Sequence, residues 1–360
     1  MSLTRGIQTR PLLMSKVIFI ACIFCTLTFS YCSKNDDDPT TPKQFSFATE
    51  EVEFTNGSVK LSGILYLPLH DGQLPAIAVT HGSGREGKSQ EGYISLAGKF
   101  AQAGYAVLIY DKRGVGQSEG EYIETPDMNI PAGDLAKAVG YLMSRKEIDK
   151  KRIGVYGHSQ GGWVAPLAAV SSADISFVIV SCGGGVSIRE TVLYNLRFQL
   201  QPFQPKDMDA AIDMIRTLYT YLATGDSYSS TAVIYEQMVK ESWFTLLREM
   251  GFTDKLPPPS LLNDPVFDFF RNISYDPQST LQSLSKPAFV LLAEKDELVP
   301  TEQAKLRWQQ AFEGSDRNSL LSLTVLPDEN HFNFERKDGQ VVYKETFAKP
   351  TLGWLLANSK

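Results

Sequence analysis

The sequence predicts an α/β chain: a mostly parallel central sheet with helices on both faces and a helical segment inserted late in the sheet. Three observations carry this. Short, continuous apolar runs recur at 76–80, 105–110, 153–156, 177–180 and 288–292, most of them closed by a turn containing glycine; runs of that length without polar alternation are strands buried on both faces. Between them, stretches such as 94–103 and 134–145 carry apolar residues at three- and four-residue spacing, and strand–helix–strand repetition makes parallel crossover units. From about 187 to 283 the rhythm changes. Val192, Leu196, Met214, Leu218, Tyr221, Met238, Trp243, Leu246 and Phe252 recur at helical intervals with no strand signal. We read 186–285 as a helical lid inserted into a core formed by 45–185 and 286–360; a second helical domain packing elsewhere is the alternative.

The elements follow in order from the amino terminus. Lys16 precedes an uncharged apolar stretch, 17–29, and the acid run Asp36-Asp37-Asp38 comes soon after. Thirteen residues fall short of the ~20 a spanning helix needs, so 1–31 reads as a signal peptide, with Met14 as an alternative start. Three of the four cysteines, Cys22, Cys25 and Cys32, lie in or just after this stretch and only Cys182 lies in the body, so no intrachain disulfide framework is available. Cys32-Ser33-Lys34-Asn35-Asp36 resembles the end of a bacterial lipoprotein signal. That resemblance implies export, a lipid on Cys32, a flexible tether over 32–44 and a place in the cell envelope. Tyr31 departs from it, standing where a small residue is usual, and plain signal cleavage or an uncleaved anchor is the alternative.

The whole chain is 43% apolar and 21% charged with a formal charge of −6. Such a composition excludes a disordered chain, and the absence of a basic block argues against a nucleic-acid partner. Residues 52–67 alternate apolar and polar around Asn56-Gly57, which predicts an opening antiparallel hairpin with a tight Asn-Gly turn.

Chemistry is concentrated in Gly157-His158-Ser159-Gln160-Gly161, which follows the strand 153–156 and precedes a small-residue helix from Gly162. A G-x-S-x-G string is common by chance; a strand before it and a helix after it are what a strained turn exposing a serine oxygen requires. In that context it resembles the nucleophile elbow of α/β hydrolases, and Ser159 is the expected nucleophile. A serine hydroxyl needs a base, and the chain has four histidines: His70, His81, His158 and His331. His70 lies in the turn sequence Leu69-His70-Asp71-Gly72, His81 precedes a glycine turn and His158 adjoins the nucleophile on a tight elbow. His331 remains, in a loop after the apolar run 320–326, where the family carries its base.

The resemblance further implies an orienting acid after a strand between serine and histidine. Asp296, opening Asp296-Glu297-Leu298-Val299-Pro300, fits, with Glu297 next in line and Glu294 a neighbour. It implies two backbone N–H donors for an oxyanion, one from Gln160 and one from Ser83 in His81-Gly82-Ser83-Gly84. Asp111-Lys112-Arg113-Gly114, after the strand 105–110, also resembles a family motif and reads as a structural brace. Cys182 reads as a packed thiol, and no residues show metal-ligand spacing.

The resemblance covers about 45–185 and 286–356 and lies nearest esterases and serine-aminopeptidase-like hydrolases. It implies a cofactor-free acyl-enzyme mechanism on a small ester or acyl substrate. Carboxylic ester cleavage is the first expectation, with peptide or thioester cleavage by the same triad as the alternative. A non-catalytic surface binding lipoprotein is the rival of another class. The lid's Phe198, Leu218, Tyr219, Tyr221 and Phe244 suit either an apolar acyl group or the lid's own core.

Overall fold

The computed structural model describes residues 44–124, 127–314 and 316–358. The expected signal, its alternative start Met14, the lipidation candidate Cys32 and nearly all of the tether lie outside these residues. Among the described residues no helix is long and apolar enough to cross a membrane.

The alternating segment forms β1 (Phe47–Asn56) and β2 (Val59–Pro68), paired antiparallel with Asn56 opposite Val59. The two loop residues are therefore Gly57 and Ser58, not Asn56 and Gly57. Gly57 has φ +61° and leads the loop, the arrangement of a type II′ turn. There follow β3 (Leu74–Thr80), α1 (Glu91–Gln102), β4 (Ala106–Tyr110), α2 (Asn129–Ser144), β5 (Ile148–His158), α3 (Gly161–Ser171) and β6 (Phe177–Ser181). After β6 come α4 (Ile188–Leu200), α5 (Met208–Thr224), α6 (Tyr228–Met238), α7 (Phe244–Glu249), α8 (Asp268–Asn272) and α9 (Gln278–Ser283). The sheet resumes with β7 (Ala288–Ala293), α10 (Thr301–Ala311) and β8 (Leu321–Leu326). A short hairpin, β9 (Phe334–Lys337) and β10 (Gln340–Tyr343), and α11 (Glu345–Asn358) complete the described chain.

The eight-stranded sheet has the order β1-β2-β4-β3-β5-β6-β7-β8, with the first two strands antiparallel to their neighbours and β3 to β8 parallel throughout. Every residue of β4, β6 and β7 is buried. Each fully buried Val, Leu, Ile or Phe side chain contributes about 1.5–3 kcal/mol, so these runs dominate the stability of the sheet. On one face, α1 and α11 join the core through Leu96, Phe100, Phe347 and Leu355, and the Trp354 ring stacks on Phe289 at 5.5 Å.

The chain leaves β3 toward β4 on one side and returns to β5 on the other. The carboxyl ends of β3 and β5 therefore meet at a topological switch point, where open α/β sheets bind ligands. Thr80 lies opposite Gly157 and His158 opposite Ser181, which brings the loop after β3 beside the Gly157–Gly161 turn.

Leu196–Arg271 forms a compact unit separate from the sheet unit. It is helical without strands. Asp207 caps α5 by accepting from the Ala210 N–H, and Gly225 ends it at φ +78°. Its aromatic residues mostly serve its own interior. Tyr219 meets Phe270 and Tyr235 meets Phe244 edge-on, while the Tyr221 hydroxyl donates to Pro257 O at 2.6 Å. Phe198 alone of the five candidate substrate contacts is exposed.

Candidate active site

The site begins with backbone strain. Between β5 and α3 the chain must reverse within two residues, and Ser159 does this at φ +53°. A non-glycine residue held there costs about 1–3 kcal/mol and persists only when its surroundings fix it. The fixing bonds are the Ser159 N–H to Ser181 O (3.0 Å) and the Gly162 N–H to Ser159 O (2.8 Å). The turn is also too tight for side chains beside it: a Cβ on Gly157 would lie 2.0 Å from Gly161 O, and one on Gly183 2.1 Å from Ser159 O.

His331, in the loop after β8, places Nε2 at 2.9 Å from Ser159 Oγ. Its Nδ1 lies 3.0 and 2.9 Å from the two carboxylate oxygens of Asp296, which follows β7. Both side chains are buried. With Asp296 accepting from Nδ1–H, Nε2 is left as the acceptor for the serine proton. Asp296 is fixed in turn, because Oδ1 accepts the N–H groups of Leu298 (2.9 Å) and Val299 (2.7 Å). The competing acids do other work: Glu297 accepts from the His331 backbone N–H at 3.4 Å, and Glu294 from the Asp328 N–H at 2.9 Å.

The remaining histidines stand elsewhere. His158 turns its Nδ1 to Ser181 O at 3.2 Å, and burial pulls its pKa down to about 3, keeping it neutral behind His331. His81 is buried edge-on against Tyr93 and Tyr110, and burial holds its pKa well below the ordinary value. His70 packs against Phe45. Cys182 is fully buried, and burial pushes its thiol pKa well up, which disfavours the thiolate that would be reactive.

The loop after β3 lies against the elbow, since a Cβ on Gly82 would come within 3.4 Å of Ser159 Cβ. Its polar groups are largely occupied. The Gly82 N–H donates to Tyr93 Oη (2.9 Å), the Gly84 N–H to Glu124 Oε1 (3.0 Å), and the Tyr93 hydroxyl to Glu86 Oε2 (2.8 Å). Among the described residues the Ser83 and Gln160 N–H groups have no protein partner. Lys112 Nζ donates to Gly82 O, to Gly84 O (3.1 Å) and to Gln160 Oε1 (3.1 Å).

The rest of the 111–118 turn is braced from within and from neighbouring elements. Asp111 accepts the N–H groups of Lys88 and Gln117, each at 2.9 Å, and Arg113 pairs with Asp134 of α2. Two buried or part-buried polar groups beside the triad were not singled out from sequence. Lys112 stood inside a motif read as structural. Asn333, two residues after His331, is fully buried and donates through Nδ2 to Tyr156 Oη (2.8 Å) and Ser181 Oγ (3.3 Å). The signal for Asn333 was only its closeness to the histidine.

Comparison with known proteins places the chain among hydrolases of this fold. The serine aminopeptidase S33 family profile matches residues 74–231, which include Ser83 and Ser159 but neither Asp296 nor His331. The quorum-quenching protein AidA of Acinetobacter baumannii is 32% identical over 132 residues, 37% of this chain and 43% of that protein. The chain thus aligns with less than half the length of AidA. The thiohydrolase aneE of Aspergillus aculeatus is 26% identical over 78% of this chain and 86% of its own, and the esterase EstD of Thermotoga maritima 24% identical over 78% and 60%. Among solved structures, the α/β hydrolase GrgF from Penicillium sp. sh18 superposes with a TM-score of 0.57 at 20% identity, covering 87% of this chain and 99% of that one. The chain has the α/β-hydrolase fold.

Proposed function

We propose that the chain is a serine hydrolase that cleaves a carboxylic ester through an acyl-enzyme. The observation that carries this is the continuous relay from Asp296 through His331 to Ser159, each link a hydrogen bond of 2.9–3.0 Å. Ser159 Oγ attacks the carbonyl while His331 Nε2 takes its proton; Asp296 holds the ring and stabilises its positive charge. The tetrahedral oxyanion is received by the N–H groups of Ser83 and Gln160, donors worth roughly 3–4 kcal/mol each in comparable sites. His331 then protonates the departing alkoxide, and water admitted to the same base releases the acid. No step calls for a cofactor.

Thioester cleavage is the second reading, favoured by the similarity to the thiohydrolase aneE across most of both chains. Export and lipid attachment at Cys32 belong to the same proposal and place the reaction at the cell envelope.

A fluorophosphonate probe tests the mechanism. The native protein is expected to be labelled and Ser159→Ala not; an unlabelled native protein supports the non-catalytic binding protein instead. Rates on p-nitrophenyl esters, acyl-CoA and aminoacyl anilides then rank the bond cleaved, and turnover of anilides alone sinks the esterase assignment.

A further inference from the structure

Lys112 contributes to the 111–118 turn with its backbone, but its side chain leaves the turn. Its ammonium meets three acceptors: the carbonyls of Gly82 and Gly84, which flank Ser83, and the side-chain oxygen of Gln160, which follows the nucleophile. One cation therefore ties the loop after β3 to the elbow after β5. These are charge-assisted bonds, roughly twice as strong as neutral ones, and they form in a part-buried place where water competes poorly.

The geometry of the peptide gives this tie a chemical meaning. In a trans peptide the C=O and N–H groups point in opposite directions, and no cis peptide occurs among the described residues. With the Gly82 carbonyl turned onto the ammonium, the Ser83 N–H of the same peptide is turned away from it. The Gly82 and Gly84 N–H groups are already held by Tyr93 and Glu124, so the donor this loop leaves open is the Ser83 N–H. Without the ammonium, nothing among the described contacts of Gly82 O would oppose rotation of that peptide.

We propose that Lys112 is the positioning residue of the oxyanion hole: it sets the direction of the 82–83 peptide and holds that loop in register with Gln160. The inference rests on the serine-hydrolase reading. Burial lowers the Lys112 pKa, opposed by Glu86 and Glu124; His81 also faces the ammonium, and the Tyr93 hydroxyl bonds to Glu86. The protonated, three-donor form is the one that fits the three acceptors. Activity is therefore present below the Lys112 pKa and lost as pH rises through it.

The test compares Lys112→Met and Lys112→Arg with native full-length protein on p-nitrophenyl butyrate, or on a butyryl thioester if the native protein prefers it, with phenylboronic acid as tetrahedral mimic. Lys112→Met is expected to lose about 100-fold in kcat, the size of a lost oxyanion donor, with KM within about threefold. Boronate affinity should fall in parallel. Lys112→Arg should recover most of kcat and move the alkaline loss of activity to higher pH. If Lys112→Met does not fold, Lys112→Gln, with two donors and no charge, takes its place. A kcat within about threefold of native, or a loss of kcat with unchanged boronate affinity, overturns the inference alone. Native protein without Ser159-dependent turnover overturns the serine-hydrolase reading and this inference with it.

Discussion

Asp296 carries an uneven load. Among the described residues its Oδ1 accepts two backbone N–H groups besides the imidazole, and Oδ2 has the imidazole alone. Two fixed N–H donors hold the carboxylate in place against the imidazole. Replacement by asparagine can present an N–H to Nδ1 and invert the tautomer. Asp296→Asn is therefore expected to lower kcat by about 10³–10⁴-fold while leaving the fold intact. Glu297 accepts from the His331 backbone N–H and not from its ring, so Glu297→Gln should stay within about tenfold, a loosening of the loop and not a loss of the relay. Steady-state rates on a reactive ester separate the two, and equal losses would remove the distinction between these neighbouring acids.

At the scale of elements, the loop after β8 is held in place from beneath. Asn333 reaches Tyr156 on β5 and Ser181 on β6, and Ser181 O also receives the Ser159 N–H and faces His158. Asn333→Ala strands buried polar groups at a cost of about 1–3 kcal/mol. Thermal unfolding should show that loss, and kcat should fall about tenfold or more as His331 loses its fixed distance to Ser159; unchanged values for both would show the anchor to be idle. Most of the sheet was legible in the sequence because five of its strands are unbroken apolar runs, and the elbow because a motif and its flanking elements coincide. The β9–β10 hairpin was not foreseen, although Asp338 (φ +50°) and Gly339 (φ +81°) make a type I′ turn in a recognisable Asp-Gly pair. Its strands are four residues each, too short for alternation to register. Lys112 was illegible for another reason. Its motif reads as a structural brace through the acid and the arginine, and the lysine's reach to Gly82 and Gln160 depends on which loops the sheet order makes neighbours.

For the molecule as a whole, the buried neutral histidines make stability depend on pH. His158 has a folded pKa of about 3 against about 6.5 in the unfolded chain. Between these values the unfolded state binds the extra proton, so stability is complete above about pH 6.5 and declines as pH falls toward 3. At pH 4.5 His158 alone accounts for a loss of about 3 kcal/mol, and His81 acts in the same direction. A Tm series from pH 7 to 4 should descend, and His158→Asn should flatten it; a flat native profile would contradict the burial of these rings.

The relay also has a history within each copy of the chain. Ser159 and His331 are separated by 172 positions, with the whole helical unit between them. Closing so long a loop has an entropic cost that only completed strand pairing offsets. The base can reach the serine only after β7 and β8 have joined the sheet. A chain emerging amino terminus first thus has no complete relay until His331 has been delivered. Recovery of ester turnover during refolding would report the final docking of the sheet and lag behind the burial of the earlier strands.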